Sequence, residues 1–353
     1  MKVGMLVAMP NHPNNSQADH HQYCARNTVS AYTDAFRFLK GGPIMTANAP
    51  KIYDIAVEDV EYLRHGDTPL LARLFKPRGS GPFPLIVELH GGAWNLGDRL
   101  QDTDLNEQLA QSGIVVAALD FRMPPVAPYP ASLADINYAI RWLKTRATAW
   151  GSRPDWVGAF GLSSGGHMAM LAAMRPHDPR YAAIPLPAGA PAMDARLRCV
   201  VMGAPVIDPL GRYRYAKQLK EGGKPYPEFV DLVLPLHDKY WQSEDAMAEG
   251  SPVRALERGE RVELPPVLYI QDTKDIVHPR ADLDRFVAQY RQAGGQVELE
   301  LFEGASDGFA PRDPSSHAAA RALGRMYETR DPSSPAAARV REKIIAFVHQ
   351  QVR

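Results

Sequence analysis

Several functional classes are excluded by what this chain lacks. Cysteine is almost absent, with two in 353 residues, which rules out a disulfide framework, and no Cys/His cluster has zinc-site spacing. Neither sign of charge is in excess: 40 basic and 40 acidic side chains give a formal net charge of +0. A nucleic-acid platform carries a basic surplus, and a disordered acidic tail the opposite one. No window approaches eighteen consecutive apolar residues, so no membrane span is expected. The opening MKVGMLVAMPNHPNN holds one lysine and an apolar run stopped by Pro10; that is a poor secretory signal, and a cytoplasmic location is expected. The glycines fit neither a dinucleotide fingerprint nor a phosphate loop, so no nucleotide is implied, and the chemistry read below requires no metal or organic cofactor. What remains is ordinary for a chain with a sizeable core: 45% hydrophobic and 23% charged residues.

The length allows two or three domains, or one large α/β domain with insertions. Residues 1–50 lack a strong period, hold His12, His20, His21 and Cys24, and read as an N-terminal arm with a short helix near 31–39 that forms part of a cap. Residues 51–353 read as the main domain. Short β-like runs recur at 57–62, 71–75, 85–89, 114–119, 156–160, 199–202, 267–270 and 297–302, from 85 onward mostly separated by helical stretches. Ile136, Ala139, Ile140 and Leu143 fall on one helix face, and Val340, Ile344, Phe347 and Val348 repeat the pattern. This alternation predicts an α/β fold with a mostly parallel central sheet of about eight strands flanked by helices. The run 114–119 is apolar throughout, as a central strand would be, whereas 297–300 alternates with glutamate, as a strand near the sheet edge would.

Two stretches break the rhythm. Residues near 205–255 are too long for a crossover helix and hold Tyr213, Tyr215, Tyr226, Phe229, Tyr240 and Trp241; they read as a helical cap insertion, with a surface helical insertion as the alternative. DPSSHAAAR (313–321) recurs as DPSSPAAAR (331–339), offset by 18 residues. Two copies do not make a solenoid, and the pair reads as a local tandem insertion.

The chemistry concentrates in two glycine-rich turns. Gly161-Leu162-Ser163-Ser164-Gly165 follows a β-like run and precedes an apolar helix, the context in which G-x-S-x-G forms a sharp strand-to-helix turn that exposes a serine Oγ. Ser163 is the expected nucleophile; Ser164 competes less well because Leu162 stands two residues before it. His90-Gly91-Gly92-Ala93-Trp94 directly follows the run 85–89. Glycines there let backbone N–H groups turn toward a substrate oxygen that becomes negative in a tetrahedral intermediate. The amides of Gly91, Gly92 and Ser164 are the expected oxyanion hole. His90 is read as holding the loop shape, His167 as packed behind the elbow, and Cys199 as buried filler.

Together the two turns resemble the α/β-hydrolase family, in the esterase/lipase branch with an HGG loop (hormone-sensitive-lipase-like), with aryl formamidases also similar. HGGAW, DFRMPP (120–125), GLSSGGH and QDTKDIVHP (271–279) carry the resemblance, over roughly residues 55–350. It implies a serine hydrolase working through an acyl-enzyme, with Asp275 as the acid and Asp208 as a weaker alternative. It also implies a histidine at 307, where this chain has Asp307. Three readings of Asp307 stand: a replacement made in an otherwise ordinary hydrolase, a native residue with His278 or His317 as the base, or a binding protein that kept the pocket and lost the chemistry. The expected substrate is a small or medium ester, aryl esters included, or an amide, with Trp94, Tyr240 and Trp241 lining its pocket. No nucleic-acid partner is implied, and a homodimer stays open.

Overall fold

Apolar residues crowd the runs whose two faces are both hidden from solvent, and these runs become the middle of the sheet. The computed structural model describes residues 51–303 and 335–352. Eight strands form one sheet: β1 (Ile55–His65), β2 (Thr68–Pro77), β3 (Leu85–Leu89), β4 (Val115–Leu119), β5 (Val157–Leu162), β6 (Val200–Gly203), β7 (Val267–Asp272) and β8 (Val297–Phe302). Their order is β1-β2-β4-β3-β5-β6-β7-β8. The β1–β2 and β2–β4 pairs are antiparallel, and every pair from β4 to β8 is parallel. All eight expected runs are strands. The uniformly apolar β4 is buried along its whole length, and the alternating β8 is an edge strand.

Nine α-helices are present among the described residues: α1 (Thr103–Gln111), α2 (Ala131–Arg146), α3 (Ser164–Met174), α4 (Pro209–Glu221), α5 (Phe229–Trp241), α6 (Glu244–Glu249), α7 (Pro252–Glu257), α8 (Arg280–Gln292) and α9 (Pro335–Gln350). The side-chain period of two sorts the strands onto two cores. Val87, Leu89, Ala117 and Ala159 pack with residues of α2 and α3 on one face. On the other, Ile86, Val116 and Phe160 meet Leu109 of α1 and Ile344, Phe347 and Val348 of α9.

Because β3, β5, β6 and β7 are parallel, the loops at their C-terminal ends open on one edge of the sheet, where ligands bind in open α/β sheets. Those loops carry His90–Trp94, Ser163, Asp208 and Asp275–His278. The stretch between β6 and β7, expected as a cap, contains α4 to α7. The N-terminal arm, Asp307, His317 and the first copy of the duplication lie outside the described residues. No described helix is long and apolar enough to cross a membrane.

Candidate active site

The turn at Ser163 requires glycine on both sides. A Cβ on Gly161 would sit 2.4 Å from the carbonyl carbon of Gly165, and one on Gly165 would sit 1.9 Å from the carbonyl oxygen of Leu89. The start of α3 therefore presses against β3 and β5 at a distance no side chain survives. Ser163 takes φ 51° and ψ −115°, a region that costs of order 1–3 kcal/mol for a residue with a Cβ. Flanking hydrogen bonds hold it: its N–H donates to Gly203 O at 2.9 Å, and its carbonyl accepts from Val206 N–H at 3.1 Å. Ser164 is wholly enclosed, and its amide belongs to the first helical turn, where N–H groups lack an intrahelical acceptor.

The HGGAW turn is fixed from several directions. The neutral His90 ring donates from Nδ1 to Gly91 O at 2.8 Å and stacks on Phe121 at 4.3 Å. Burial lowers its pKa, so it acts as a strut, as expected from sequence. Gly92 has φ +112°, and a Cβ there would fall 2.0 Å from Leu96 O. Asn95 donates from Nδ2 to Ala93 O at 2.6 Å and to Leu236 O at 2.8 Å. The DFRMPP segment serves the same loop: the Asp120 carboxylate accepts from the amide and the guanidinium of Arg99, each at 3.0 Å. The amides of Gly91 and Gly92 have no hydrogen-bond partner among the described residues. A Cβ on Gly91 would lie 3.7 Å from Ser163 Cβ, so the loop abuts the elbow.

The imidazole that meets Ser163 comes from the loop after β7. Ser163 Oγ donates to His278 Nε2 at 3.3 Å, and His278 Nδ1–H donates to Asp275 Oδ2 at 2.7 Å. The other oxygen of Asp275 accepts the amides of Val277 at 2.8 Å and His278 at 3.1 Å. Burial works to raise the Asp275 pKa, but the His278 charge and these hydrogen bonds outweigh it and hold the carboxyl below its ordinary range. Gln271 Nε2 donates to His278 O at 2.9 Å, and Pro279 opens α8 directly behind. The carboxylate and the imidazole thus sit three residues apart on one loop. The resemblance implies a histidine at 307 and leaves His278, beside His317, as an alternative base; the Asp-x-x-His spacing puts the two residues on one loop without saying that the imidazole reaches Ser163.

Other expectations sort as follows. Trp94, Tyr240 and Trp241, expected to line a substrate pocket, are packed into the interior at 1%, 0% and 2% exposure. Trp94 stacks on Tyr240 at 5.4 Å and meets Trp241 edge-on at 5.3 Å; large apolar rings from α5 gain more by filling the interior beside Trp94 than by facing solvent. His167 is packed there too. It accepts from Trp94 Nε1–H at 3.1 Å, donates from Nε2 to Gly250 O at 2.8 Å, and burial lowers its pKa to about 4. Asp208, the alternative acid, instead binds Arg254 at 2.8 Å and Arg285 at 3.0 Å. Cys199 is buried. Pro205, Ile207, Arg212, Tyr269 and His278, among others, line a narrow crevice. Arg212 had no signal in sequence, since a lone arginine on a helix reads as solvated. Among the described residues no cluster of His, Cys, Asp and Glu could hold a metal ion.

Residues 74–282, more than half of the chain, match the BD-FAE family model. Among curated proteins, Esterase LipC of Mycobacterium tuberculosis is 28% identical over 259 residues, 70% of this chain and 60% of LipC. The probable carboxylic ester hydrolase LipM of the same organism is 27% identical over 263 residues, 71% of this chain and 56% of LipM. The matches thus span less than two thirds of these relatives' length. Among solved structures, native esterase Est2 of Thermogutta terrifontis aligns with TM-score 0.54 at 26% identity, over 70% of this chain and 82% of that one. Esterase B from Lactobacillus rhamnosis aligns with TM-score 0.63 at 19% identity, over 85% and 88% of the two chains, a likeness of fold. Sheet order, glycine-bound elbow and family match agree: the chain has the α/β-hydrolase fold and belongs to the BD-FAE family.

Proposed function

We propose that the chain is a serine carboxylesterase in which Ser163, His278 and Asp275 form the relay. The observation that carries this reading is the continuous chain of contacts from Ser163 Oγ through His278 Nε2 and Nδ1 to Asp275 Oδ2, at 3.3 and 2.7 Å. Ser163 attacks the ester carbonyl as His278 takes its proton. Asp275 fixes the Nδ1–H tautomer and stabilises the imidazolium. The amides of Gly91, Gly92 and Ser164 hold the developing oxyanion. His278 then protonates the departing alkoxide, and water repeats the sequence to free the acid. With this base, Asp307 needs no part in proton transfer, so the chain is an active hydrolase rather than an impaired one.

The esterase names of LipC and LipM favour esters over amides. A solved neighbour at 25% identity, Thermogutta terrifontis esterase 2, is described as phosphonylated by sarin, chemistry that an activated serine supports. Helices α4 to α7 act as the cap over the site. Because Trp94, Tyr240 and Trp241 are structural, aryl selectivity does not follow from them. The test is a short-chain 4-nitrophenyl ester with intact protein: a burst followed by steady turnover, with an acyl adduct on Ser163 in quenched samples, is expected. Turnover that survives Ser163→Ala would overturn the assignment.

A further inference from the structure

Helix α5 packs against two of the loops that the proposed mechanism uses. Val277, between Asp275 and His278, is buried in one apolar cluster with Val230, Val233 and Leu234 of α5 and Ala216 of α4. Further along the helix, His237 meets the Trp94 ring edge-on at 5.1 Å and Tyr240 stacks on it. Between these two packed stretches lies Leu236, whose carbonyl accepts from Asn95 Nδ2–H at 2.8 Å. The same amide nitrogen donates to Ala93 O at 2.6 Å. A primary amide has two N–H donors; here one serves the glycine-rich turn and the other serves α5.

That turn needs to be held. Ala93 and Trp94 take φ 49° and 61° in succession, left-handed backbone that residues with a Cβ rarely adopt and keep only where their surroundings enforce it. Gly92 O accepts from the amides of Asn95 and Leu96, each at 3.1 Å. Gly91 O accepts from His90 Nδ1 at 2.8 Å, and that carbonyl shares one rigid peptide plane with the Gly92 N–H. His90 thus fixes the turn from the strand side, and Asn95 fixes it from the helix side. Ring packing of Trp94 is apolar and non-directional, so by itself it leaves the turn free to slide along α5. Two short, directional hydrogen bonds from one side chain remove that freedom.

We propose that Asn95 is a positioning residue that locks the Gly91–Gly92 turn to α5 and so keeps the oxyanion amides in register with the loop that carries His278. The proposal rests on the serine-hydrolase reading and adds a residue that acts through the turn. The experiment measures kcat and KM for 4-nitrophenyl butanoate, and Ki for a trifluoromethyl ketone that adds to Ser163 as an oxyanion, in wild type, Asn95→Ala and Asn95→Asp. Displaced amides weaken the transition state more than the bound ester, so Asn95→Ala should lose roughly 10–10²-fold in kcat with KM within about threefold. Ki for the ketone should rise in step. Asn95→Asp keeps the shape but sets a carboxylate against two carbonyl oxygens, and only its protonated form has an O–H to donate. Its kcat relative to wild type should therefore recover as pH falls from about 8 to about 5.5, a response that general loosening of the fold does not give. That ratio stands even if Asn95→Ala fails to fold. Wild-type kcat in Asn95→Ala, a fall in kcat with Ki unchanged, or a pH-independent ratio for Asn95→Asp would overturn the role of Asn95 and leave the hydrolase intact. No turnover by wild type, with Ser163 unlabelled by a fluorophosphonate, would remove the hydrolase reading and this one with it.

Discussion

The elbow at Ser163 and the loop at Asp275–His278 deliver their side chains to one cleft by opposite means. The elbow is held by close approach. Glycines at 161 and 165 admit backbone contacts that would put any Cβ within 2.4 and 1.9 Å of a neighbour, and Ser163 carries a positive φ as the consequence. The acid–base loop has no such squeeze; its shape comes from a carboxylate that accepts two of its own loop's amides and one imidazole. One region stores strain and tolerates no added volume. The other stores charge and tolerates no change of hydrogen-bonding type. The proposed relay calls for a rigid oxygen and a base with a fixed tautomer, one from each construction.

The sharpest break in the comparison comes from the side chains themselves. Ser163→Ala and His278→Gln should each lower kcat by about 10⁴–10⁶-fold, and the double variant should cost little more, because members of a relay are not additive. Thermal melts should show both folded, and Asp307→His should not raise turnover. Next, Asp275→Asn keeps the volume and loses the charge, so kcat should fall by on the order of 10³–10⁴-fold. The same variant should alter acid stability. The Asp275 pKa is lower folded than unfolded, so its contribution is present above the ordinary carboxylate range and is lost as pH falls through the lowered value. Acid titration followed by circular dichroism would show that component missing in Asp275→Asn.

On the packing side, Gly92→Ala places a Cβ 2.0 Å from Leu96 O at a φ of +112°. Turnover should drop by roughly 10²–10³-fold as the oxyanion amides shift. Trp94→Ala removes the ring beneath that loop and should cost about 3–5 kcal/mol in urea unfolding. The smallest effect concerns Glu88, which is buried, and Asp102, which is half-buried with one carboxyl oxygen enclosed, at the two ends of the same loop. Burial raises both, Asp102 to about 6. Their folded pKa values exceed the unfolded ones, so the stability they contribute is full below about pH 4 and is lost as pH rises through the raised values, about 6 for Asp102. Asp102→Asn should flatten that decline, by on the order of 1–3 kcal/mol, in urea titrations across pH.

Contiguous features were legible in the sequence, and distributed ones were not. Strand β4 shows itself in an unbroken apolar run, β8 in its alternation, and the elbow in five adjacent residues whose glycines answer a local steric demand. The glycine turn at His90, Gly91 and Gly92 was equally readable, because it follows a strand directly. The imidazole that meets Ser163 was harder. Nothing in the spacing of Asp275 and His278 says that one imidazole will swing toward a serine more than a hundred positions away, while the family phrase near Asp307 pointed elsewhere. Trp94, Tyr240 and Trp241 were placed in a pocket because aromatic content alone does not distinguish a lining from a core; their mutual stacking, and the hydrogen bond from Trp94 to His167, arise only in three dimensions. Arg212 was invisible for the same reason.

The central claim is that His278 activates Ser163, and the rate of Ser163 phosphonylation by a fluorophosphonate probe tests it most directly. Wild type and Asp307→His should label at the same fast rate, and His278→Gln should label at least about 10³-fold more slowly. Undiminished labelling in His278→Gln, or fast labelling only after histidine is placed at 307, would contradict the account.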